Sequence, residues 1–413
     1  MADLDYPAPL DLFPPSREAG LDRLRDFVPH AGKAYAAKRN ADSGPGRKDG
    51  VSMLSPYIRH RLISEYEVAE AVLARWAPST AEKFIQEVLW RTYWKGWLQM
   101  RPSVWQAFVR ERDNDRLRVE ANAGLTRALL DAEEGRTGIE CFDDWSRELV
   151  ATGYLHNHVR MWFASIWIFT LKLPWALGAD FFLRHLLDAD PASNTLGWRW
   201  VAGIQTPGKT YLARPDNIEK YADGRYRPEG LATTAEAIRD ERPPKAGELP
   251  ARPKLATGGR ALLLLHGDDL TGFDALPDGV AIAGGLVAAG AHADHPWPFG
   301  DKAAGFMQRA AASAAEHAAS ALSLDVPVIA ELNAEAIVEQ AKQVGADRVI
   351  TPDAPVGPLD DALDALSAQL HAAGLPLHRS RRDWDGAAWP FATKGFFPFK
   401  KHIPELLERA GLT

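Results

Sequence analysis

The chain has 413 residues, enough for two ordinary domains or for one large helical domain with a smaller partner. Hydrophobic residues make up 46% and charged residues 25%, which excludes a wholly disordered chain, and the net charge of −7 argues against a general nucleic-acid coat. The single cysteine, Cys141, excludes an intrachain disulfide and a cysteine-based metal cluster, and we expect no metal site.

The N-terminal residues show no secretory signal, and no apolar run is long enough to cross a bilayer. We therefore expect a cytoplasmic protein with no membrane partner. Residues 1–250 carry 34 Lys and Arg against 35 Asp and Glu, whereas residues 251–413 carry 14 against 20. Most of the negative charge thus lies in the last part, and the first part can keep a cationic surface.

The first part of the chain is predicted to be helical. Apolar residues recur at three- and four-residue spacing, and Ser64 and Glu67 have the spacing of a capping box at a helix start. This part also holds 11 of the 14 tryptophans, from Trp76 to Trp200. The predicted helices cover residues 62–76, 80–98, 125–133, 143–153 and 157–171.

The composition changes near residue 230. A segment rich in Pro, Gly and charge is typical of an inter-domain linker, and short apolar runs then alternate with Ala-rich helical stretches. This alternation predicts a parallel sheet covered on both faces. The predicted strands cover 261–265, 279–284, 326–332, 347–352 and 376–379, and the predicted helices cover 306–322, 334–344 and 359–373. We therefore predict a multidomain α and α/β protein: an all-helical domain at 1–226, a linker at 227–258 and a Rossmann-like parallel α/β domain at 259–413.

The densest group of polar side chains lies in HNHVRMW (156–162) and LLDADPASNTLGWRW (186–200). An arginine, two carboxylates two residues apart, an amide and two indoles are unusual together, because buried charges need partners. A structural ion pair in a Trp-rich bundle and a ligand site explain this chemistry equally well. The residues concerned are Arg160, Asp188, Asp190, Asn194, Trp198 and Trp200.

Two further segments point to binding chemistry. In KFIQEVLWRTYWKGW (83–97), Glu87 and Arg91 share one helical face with Phe84, and the aromatic setting favours a buried pair over a solvated one. In DGVSMLSPYIRH (49–60), the glycine, two serines and following helix have groups that bind phosphate oxygens, although an ordinary helix cap explains them as well.

These segments, in this order, resemble the flavin-binding domain of the DNA photolyase/cryptochrome family over residues 12–226. The specific parts are SMLSPYIRHRLIS, FIQEVLWRTYWKG, ATGYLHNHVRM and DADPASNTLGWRW. The resemblance implies a non-covalent FAD in a bent conformation, with the diphosphate held at one end and the isoalloxazine near Arg160 and Asp188. Asn194 matches the residue that faces flavin N5. The cofactor-binding positions it implies are Tyr35, Val51, Ser52, Met53, Leu54, Ser55, Phe84, Glu87, Arg91, Asn157, Arg160, Asp188, Asp190 and Asn194.

The resemblance also implies a pocket for a flipped-out pyrimidine dimer and a tryptophan chain that reduces the flavin. Glu87, Asn157 and Met161 match pocket positions of the repair machinery, and Trp198 and Trp175 match the proximal and middle tryptophans. Trp90, His158 and Trp200 match substrate contacts, with His158 standing where repair enzymes usually carry Arg. At the distal tryptophan position this chain has Asn122, for which Trp145, Trp162 or Trp167 are candidate substitutes.

The last part resembles the α/β domain of the same family, which in most members precedes the flavin domain. We therefore predict a circular permutation, because exposed and adjacent termini tolerate it. The segment HGDDLTGFDAL after the first strand departs from the family pattern, so the resemblance identifies no antenna chromophore.

The resemblance implies light-driven repair of pyrimidine dimers by a monomer whose partner is damaged DNA. The alternative is a cryptochrome-like blue-light photoreceptor that binds FAD, does not repair DNA and acts on a signalling partner. A third hypothesis is a binding module that has lost flavin. Repair requires a cationic surface for phosphates, for which the sequence offers candidates. They are Arg59, His60, Arg61, Lys95, Arg101, Arg199 and Lys209.

Overall fold

The computed structural model describes residues 6, 9–47, 50–240, 242–252, 258–276, 279–290, 295 and 297–413. Up to residue 240 the described residues form helices and loops. The helices are α1 (Pro9–Leu12), α2 (Arg17–Phe27), α3 (Lys33–Lys38), α4 (Ser55–Arg59), α5 (Glu65–Leu73), α6 (Pro78–Gln99), α7 (Pro102–Glu120), α8 (Ala123–Glu133), α9 (Glu140–Thr152), α10 (Asn157–Ser165), α11 (Trp175–His185), α12 (Pro191–Val201) and α13 (Pro215–Tyr221).

The helix starts follow from local capping. Ser64 accepts a hydrogen bond from the backbone of Glu67, whose side chain bonds back to Ser64, so the predicted capping box is confirmed. Asp190 caps α12 by accepting from the backbone of Ser193 at 2.7 Å. The helix predicted at 157–171 changes at its end, because Ile166–Thr170 forms a π-helical turn.

The last part contains strands β1 (Ala261–His266), β2 (Ile282–Ala288), β3 (Val328–Ile329), β4 (Arg348–Pro352) and β5 (Leu377–Ser380), and helices α14 (Asp301–Leu322), α15 (Ala334–Val344), α16 (Pro358–Ala372), α17 (Asp383–Ala388), α18 (Phe396–Lys400) and α19 (Ile403–Arg409). The strands form one parallel sheet in the order β3-β2-β1-β4-β5, with Leu263 paired to both Gly285 and Ile350. The predicted parallel α/β class is confirmed. Residues 253–257 of the predicted linker lie outside the described residues.

The two faces of the sheet belong to different cores. Leu262 and Leu264 pack with Leu363 and Leu366 of α16 in a core internal to the α/β part. Leu263 and Leu265 point to the other face and join the continuous core of the helical part, because successive residues of a strand alternate sides.

Two segments of the α/β part dock on the helices that carry the candidate site residues. After β1, the amide of Leu270 donates to the carbonyl of His60 at 3.0 Å, and Thr271 Oγ donates to the carbonyl of Arg61 at 2.8 Å. Near the C-terminus, Trp384 Nε1 donates to Thr92 of α6 at 3.0 Å. Among the helices of the described ranges, none is long and apolar enough to span a membrane.

Candidate functional site

Helix α6 provides one side of the site. Phe84 is buried and packs against Tyr35, with ring centroids 5.2 Å apart. One turn later the Glu87 side chain is 33% exposed and forms an ion pair with Arg39. Burial raises the pKa of Glu87 and Arg39 offsets only part of this rise, so its carboxyl binds a proton more readily than a free glutamate does.

An arginine–carboxylate pair joins α10 to the loop before α12. Arg160 Nη2 donates to Asp188 Oδ2 at 2.9 Å, and Arg160 Nε donates to the carbonyl of Leu155 at 2.9 Å. Burial of Asp188 acts to raise its pKa, but Arg160 and a hydrogen bond from Ser55 outweigh it, so the pKa lies below the usual value. The structure therefore brings Ser55, Arg160 and Asp188 together.

The second carboxylate, Asp190, lies between two cations. Its Oδ2 is 3.8 Å from Arg91 Nη1 and 3.8 Å from Lys95 Nζ. Burial acts to raise its pKa, but Lys95 and then Arg91 outweigh this effect and the pKa is lowered. Lys95 is 1% exposed and its Nζ lies 3.6 Å from Glu65 Oε1, a partner that the sequence analysis missed.

Several polar atoms in this region are buried without a hydrogen-bond partner: Asp188 Oδ1 can accept a bond, while Arg91 Nη1 and Lys95 Nζ can donate one. The polar edge of an isoalloxazine offers both a donor and acceptors, so these residues fit FAD. Asn194 Nδ2 donates to the carbonyl of Ala179 at 2.7 Å, which leaves its amide oxygen available. The argument for FAD binding is thus that these buried atoms have no hydrogen-bond partner within the protein and a ligand would supply one.

The segment 51–55 leads into α4. Met53 adopts a left-handed backbone conformation with a φ of 51°, and its side chain is buried. Ser52 Oγ accepts from the amide of Leu54 at 3.4 Å. Ser52 and Ser55 are half-buried and offer hydroxyls for a diphosphate, whereas Val51, Met53 and Leu54 offer only backbone groups.

A run of contacts, here called the rim, borders α10. The rings of Trp200 and Tyr211 are 5.6 Å apart, Tyr211 Oη is 3.3 Å from His158 Nε2, and His158 Nδ1 is 3.0 Å from the carbonyl of Asn40. Asn157 at the start of α10 is exposed and Met161 is half-buried. The rim thus joins two of the predicted substrate residues, Trp200 and His158, through Tyr211.

His158 does not reach outward as a DNA contact would. It is buried, both ring nitrogens are engaged, and its ring stacks on Trp162 at 4.3 Å. Burial lowers its pKa, so the ring is neutral at neutral pH.

Trp90 has one face covered. Its ring stacks on Phe396 of α18 with centroids 3.6 Å apart and 11° between the planes. The sequence analysis missed Phe396, although the aromatic run FFPF at 396–399 is a signal that could have identified it. Trp90 can therefore present only its other face and edge to a ligand.

The tryptophans predicted to form the electron-transfer chain differ in their surroundings. Trp198 is in edge contact with Trp167 at 6.1 Å, whereas no ring contact joins it to Trp175 within the described ranges. Trp175 Nε1 donates to Glu111 at 2.7 Å. Trp167 thus lies next to Trp198, and Asn122 is an exposed cap of α8.

The predicted phosphate-binding surface is wrong for six of its seven members, because they are engaged inside the protein. Arg59 pairs with Asp268 at 2.5 Å, Arg199 pairs with Asp240 at 2.9 Å, and Lys209 alone is exposed. His60 bonds the carbonyls of Gly267 and Leu187, and Arg101 bonds those of Trp97, Pro244 and Thr393. Arg61 pairs with Glu65, Asp269 and Asp385, and Lys95 lies between Glu65 and Asp190.

Comparison with known proteins identifies the helical part. A family model described as the FAD binding domain of DNA photolyase matches residues 84–226. The deoxyribodipyrimidine photo-lyase of Alkalihalophilus pseudofirmus is 31% identical over 201 residues, which are 47% of this chain and 39% of that protein. That of a Thermus thermophilus strain is 35% identical over 211 residues, which are 49% of this chain and 46% of that protein. A bacterial class III photolyase structure from Agrobacterium tumefaciens has 27% identity and a TM-score of 0.41, and covers 50% of this chain and 42% of that chain.

The chain spans less than half the length of these curated relatives. The matched residues contain Phe84, Glu87 and Arg91 on α6 and extend through α13, whereas Tyr35 and residues 51–55 precede them. Residues 84–226 therefore match the FAD binding domain of DNA photolyase, and this match supports FAD as the cofactor of the helical part.

Proposed function

We propose that this protein repairs pyrimidine dimers in damaged DNA under blue light, by electron transfer from reduced FAD. The observation that carries the proposal is the rim, which places the exposed indole of Trp200 and the phenol of Tyr211 beside α10. Exposed aromatic rings stack on bases that leave the duplex. His158 of the rim and Arg160 of the Arg160–Asp188 pair are both carried by α10.

The flavin would be held by residues that the helical part brings together. Asp188 and Asn194 would accept hydrogen bonds from the isoalloxazine, Arg91 and Lys95 would donate them, and Ser52 and Ser55 would bind the diphosphate. Bound and reduced FAD supplies the excited-state electron. Arg160 keeps Asp188 ionised, and the neutral amide of Asn194 gives no proton to the site.

The dimer would be received by Trp90, Trp200 and Asn157, with Glu87 as the acidic group. The raised pKa of Glu87 lets its carboxyl donate a hydrogen bond to a pyrimidine carbonyl as negative charge develops there. Trp198 and Trp167 would carry the electron that first reduces the flavin.

Repair of a thymine-dimer oligonucleotide under blue light, with a dark control, tests this function. We expect repair by the flavin-loaded protein, and about tenfold slower repair by Glu87→Gln, because one hydrogen bond to developing charge is weakened. Glu82→Gln, an exposed change on the same helix, should repair at the original rate. Photoreduction of the flavin without loss of dimers would overturn the proposal.

A blue-light photoreceptor is the second candidate, and two observations favour it. His158 stands where repair enzymes usually carry Arg and has no free ring nitrogen. Six of the seven side chains expected to bind phosphates are engaged in internal ion pairs or carbonyl bonds. Photoreduction that persists while dimers survive would support this candidate, which acts on a signalling partner.

We further infer that the α/β part is the family's α/β domain moved behind the flavin domain, with boundaries near 226 and 259. The parallel sheet and the docking of residues 384–399 on α6 support this inference. A gene that encodes 259–413 before 1–226 should yield a protein with the same flavin absorbance and the same unfolding midpoint. Failure of that protein to bind FAD would contradict the permutation.

A further inference from the structure

A second cavity lies apart from the flavin site, between α5 and α6 of the helical part and α17 and α19 near the C-terminus. Its volume is about 510 Å³, and Tyr66 and Leu89 line it on the helical side. Arg381, Arg382, Trp384 and Arg409 line it on the other side. The volume falls in the range of about 300–1,000 Å³ that is usual for small-molecule sites. None of the residues assigned to FAD binding or to the proposed repair reaction lines this cavity.

The charges that line the cavity are mostly positive. The Arg381 side chain is 9% exposed, and it shares the carboxylate of Asp353 with Arg252, at 2.8 and 2.9 Å. Arg252 also lies near Asp360 and Asp364, and Arg381 Nη1 donates to the carbonyl of Pro250, whereas Arg381 Nη2 is buried without a partner. Arg409 is exposed and forms no ion pair with any described residue.

The third arginine is fixed and already neutralised. Arg382 donates two hydrogen bonds to Asp269, at 2.6 and 2.7 Å, so it shapes the cavity more than it adds charge. The one carboxylate of the lining, Asp383, is exposed. The charge of Arg409 and the unbonded donor of Arg381 therefore favour a ligand with an anionic group.

The remaining lining is aromatic and apolar. The rings of Tyr66 and Trp384 meet edge to face with centroids 6.4 Å apart, and Trp384 is fixed by its bond to Thr92. Ala387 and Leu406 add aliphatic surface. A flat ring fits such surfaces, because aromatic side chains contribute contact area with little loss of side-chain entropy.

We propose that this cavity binds a small aromatic anion, an aryl phosphate or aryl carboxylate, with its ring against Tyr66 and Trp384 and its anionic group toward Arg409 and Arg381. Because the lining comes from both parts of the chain, the ligand stabilises their docking. A ligand that binds only the folded, docked form raises the unfolding midpoint as its concentration rises.

Calorimetric titration of the FAD-loaded protein tests the proposal, and four probes separate the ring from the charge. They are 1-naphthyl phosphate, 1-naphthoate, 1-naphthol and inorganic phosphate. We expect saturable 1:1 binding of 1-naphthyl phosphate or 1-naphthoate, and the tighter of the two identifies the anionic group. Naphthol and phosphate should bind at least about tenfold more weakly, since each lacks one half of the recognition.

Two variants locate the site. Arg409→Gln should weaken the binding of the naphthyl anions about tenfold by removing a charge-assisted hydrogen bond, and Ala387→Phe should abolish binding by filling the cavity. Arg127→Gln, at an exposed arginine on α8, is the matched control and should bind as the original protein does. Unsaturable binding, or equal binding by all three variants, would overturn the proposal. Repair is not a readout here, so the outcome is independent of the proposed function.

Discussion

Lys95 shows how a buried charge connects two carboxylates at the candidate site. Its helix carries aromatic residues on several sides, so sequence spacing alone does not reveal whether a lysine here faces water. The structure places it between Glu65 and Asp190 with 1% of its side chain exposed. Burial lowers the pKa of Lys95, while Glu65 and Asp190 oppose this effect. The ammonium group therefore balances two buried negative charges.

Replacing Lys95 with Met is expected to lower the free energy of unfolding by about 3 kcal/mol, because two buried carboxylates each lose one cation; Glu65 keeps Arg61 and Asp190 keeps Arg91. Urea unfolding followed by tryptophan fluorescence measures the loss. Lys83→Met, at an exposed lysine on the same helix, should change it by less than about 0.5 kcal/mol. A Lys95→Met protein as stable as the original would show that Arg61 and Arg91 alone suffice to balance these carboxylates.

His185 predicts a pH dependence. Burial and the neighbouring Arg184 lower its pKa from 6.5 to about 4. The unfolded chain therefore binds more protons than the folded chain between about pH 4 and 6.5, and stability falls as the pH drops through that window. The full effect of a shift of about 2.5 pH units is about 3 kcal/mol.

We expect His185→Gln to be less sensitive to acid than the original protein, with unfolding free energies that converge toward pH 4. Urea unfolding at pH 7, 6, 5 and 4 measures this slope. His30→Gln, at an exposed histidine, should leave the slope unchanged. If the unfolding free energies of His185→Gln and the original protein fell in parallel with pH, the acid sensitivity would not come from His185.

The family resemblance was sufficient to predict the Arg160–Asp188 pair, whereas the pair expected from the spacing of Glu87 and Arg91 is wrong. Glu87 pairs with Arg39 instead, and Arg91 lies beside Asp190. Residue types and spacing were insufficient for contacts supplied from distant segments. Glu65 next to Lys95 and Phe396 on Trp90 depend on tertiary docking. His158 illustrates the same limit, since its partners Asn40 and Tyr211 are far away in sequence.

At the scale of elements, periodicity and caps predicted eight of the nineteen α-helices of the described residues and missed α7, α11 and α12, whereas strand ends depended on neighbouring elements. Helix α15 begins and ends at the predicted residues, with Asn333 as its N-cap and Gly345 after its end. Strand β2 begins three residues later than predicted, and the predicted third strand is reduced to Val328–Ile329. Pairing with adjacent strands fixes these ends, and pairing is not visible in local sequence.

The contact between α11 and α12 yields a prediction for two glycines. A Cβ at Gly178 would lie 2.3 Å from Trp198 Cη2, whereas a Cβ at Gly197 would have nothing within 4 Å. Gly178→Ala should lower the unfolding free energy by about 1–3 kcal/mol through overpacking, and displacement of Trp198 should slow flavin photoreduction. Gly197→Ala should raise stability by about 0.5–1 kcal/mol, as alanine does in a helix interior.

Urea unfolding and the rate of flavin bleaching under blue light with a reductant measure both glycine variants. Slower photoreduction in Gly178→Ala alone is the expected result. If Gly178→Ala kept both the stability and the photoreduction rate, α11 and α12 would not pack as closely as the structure shows.

At the scale of the whole molecule, the composition change near residue 230 indicated two parts but not how closely they are joined. One face of the sheet shares its core with the helical part. The ring centroid of Phe306 on α14 lies 5.7 Å from that of His60 and 6.4 Å from that of Tyr57. Buried ion pairs add to this contact, since Arg61 bonds both Asp269 and Asp385. The linker is not the only connection, and the two parts should unfold together.

This shared core predicts the behaviour of residues 259–413 expressed alone. Phe306, Leu263 and Leu265 would lose the helical side of their packing, while the opposite face of the sheet would keep Leu363 and Leu366. Exposed apolar surface of this kind binds hydrophobic dyes and promotes association. We expect strong dye fluorescence and oligomers in size-exclusion chromatography, with both signals absent from the full chain. A monomeric fragment that binds no dye and unfolds at the midpoint of the full chain would show instead that the α/β part completes its core without the helices.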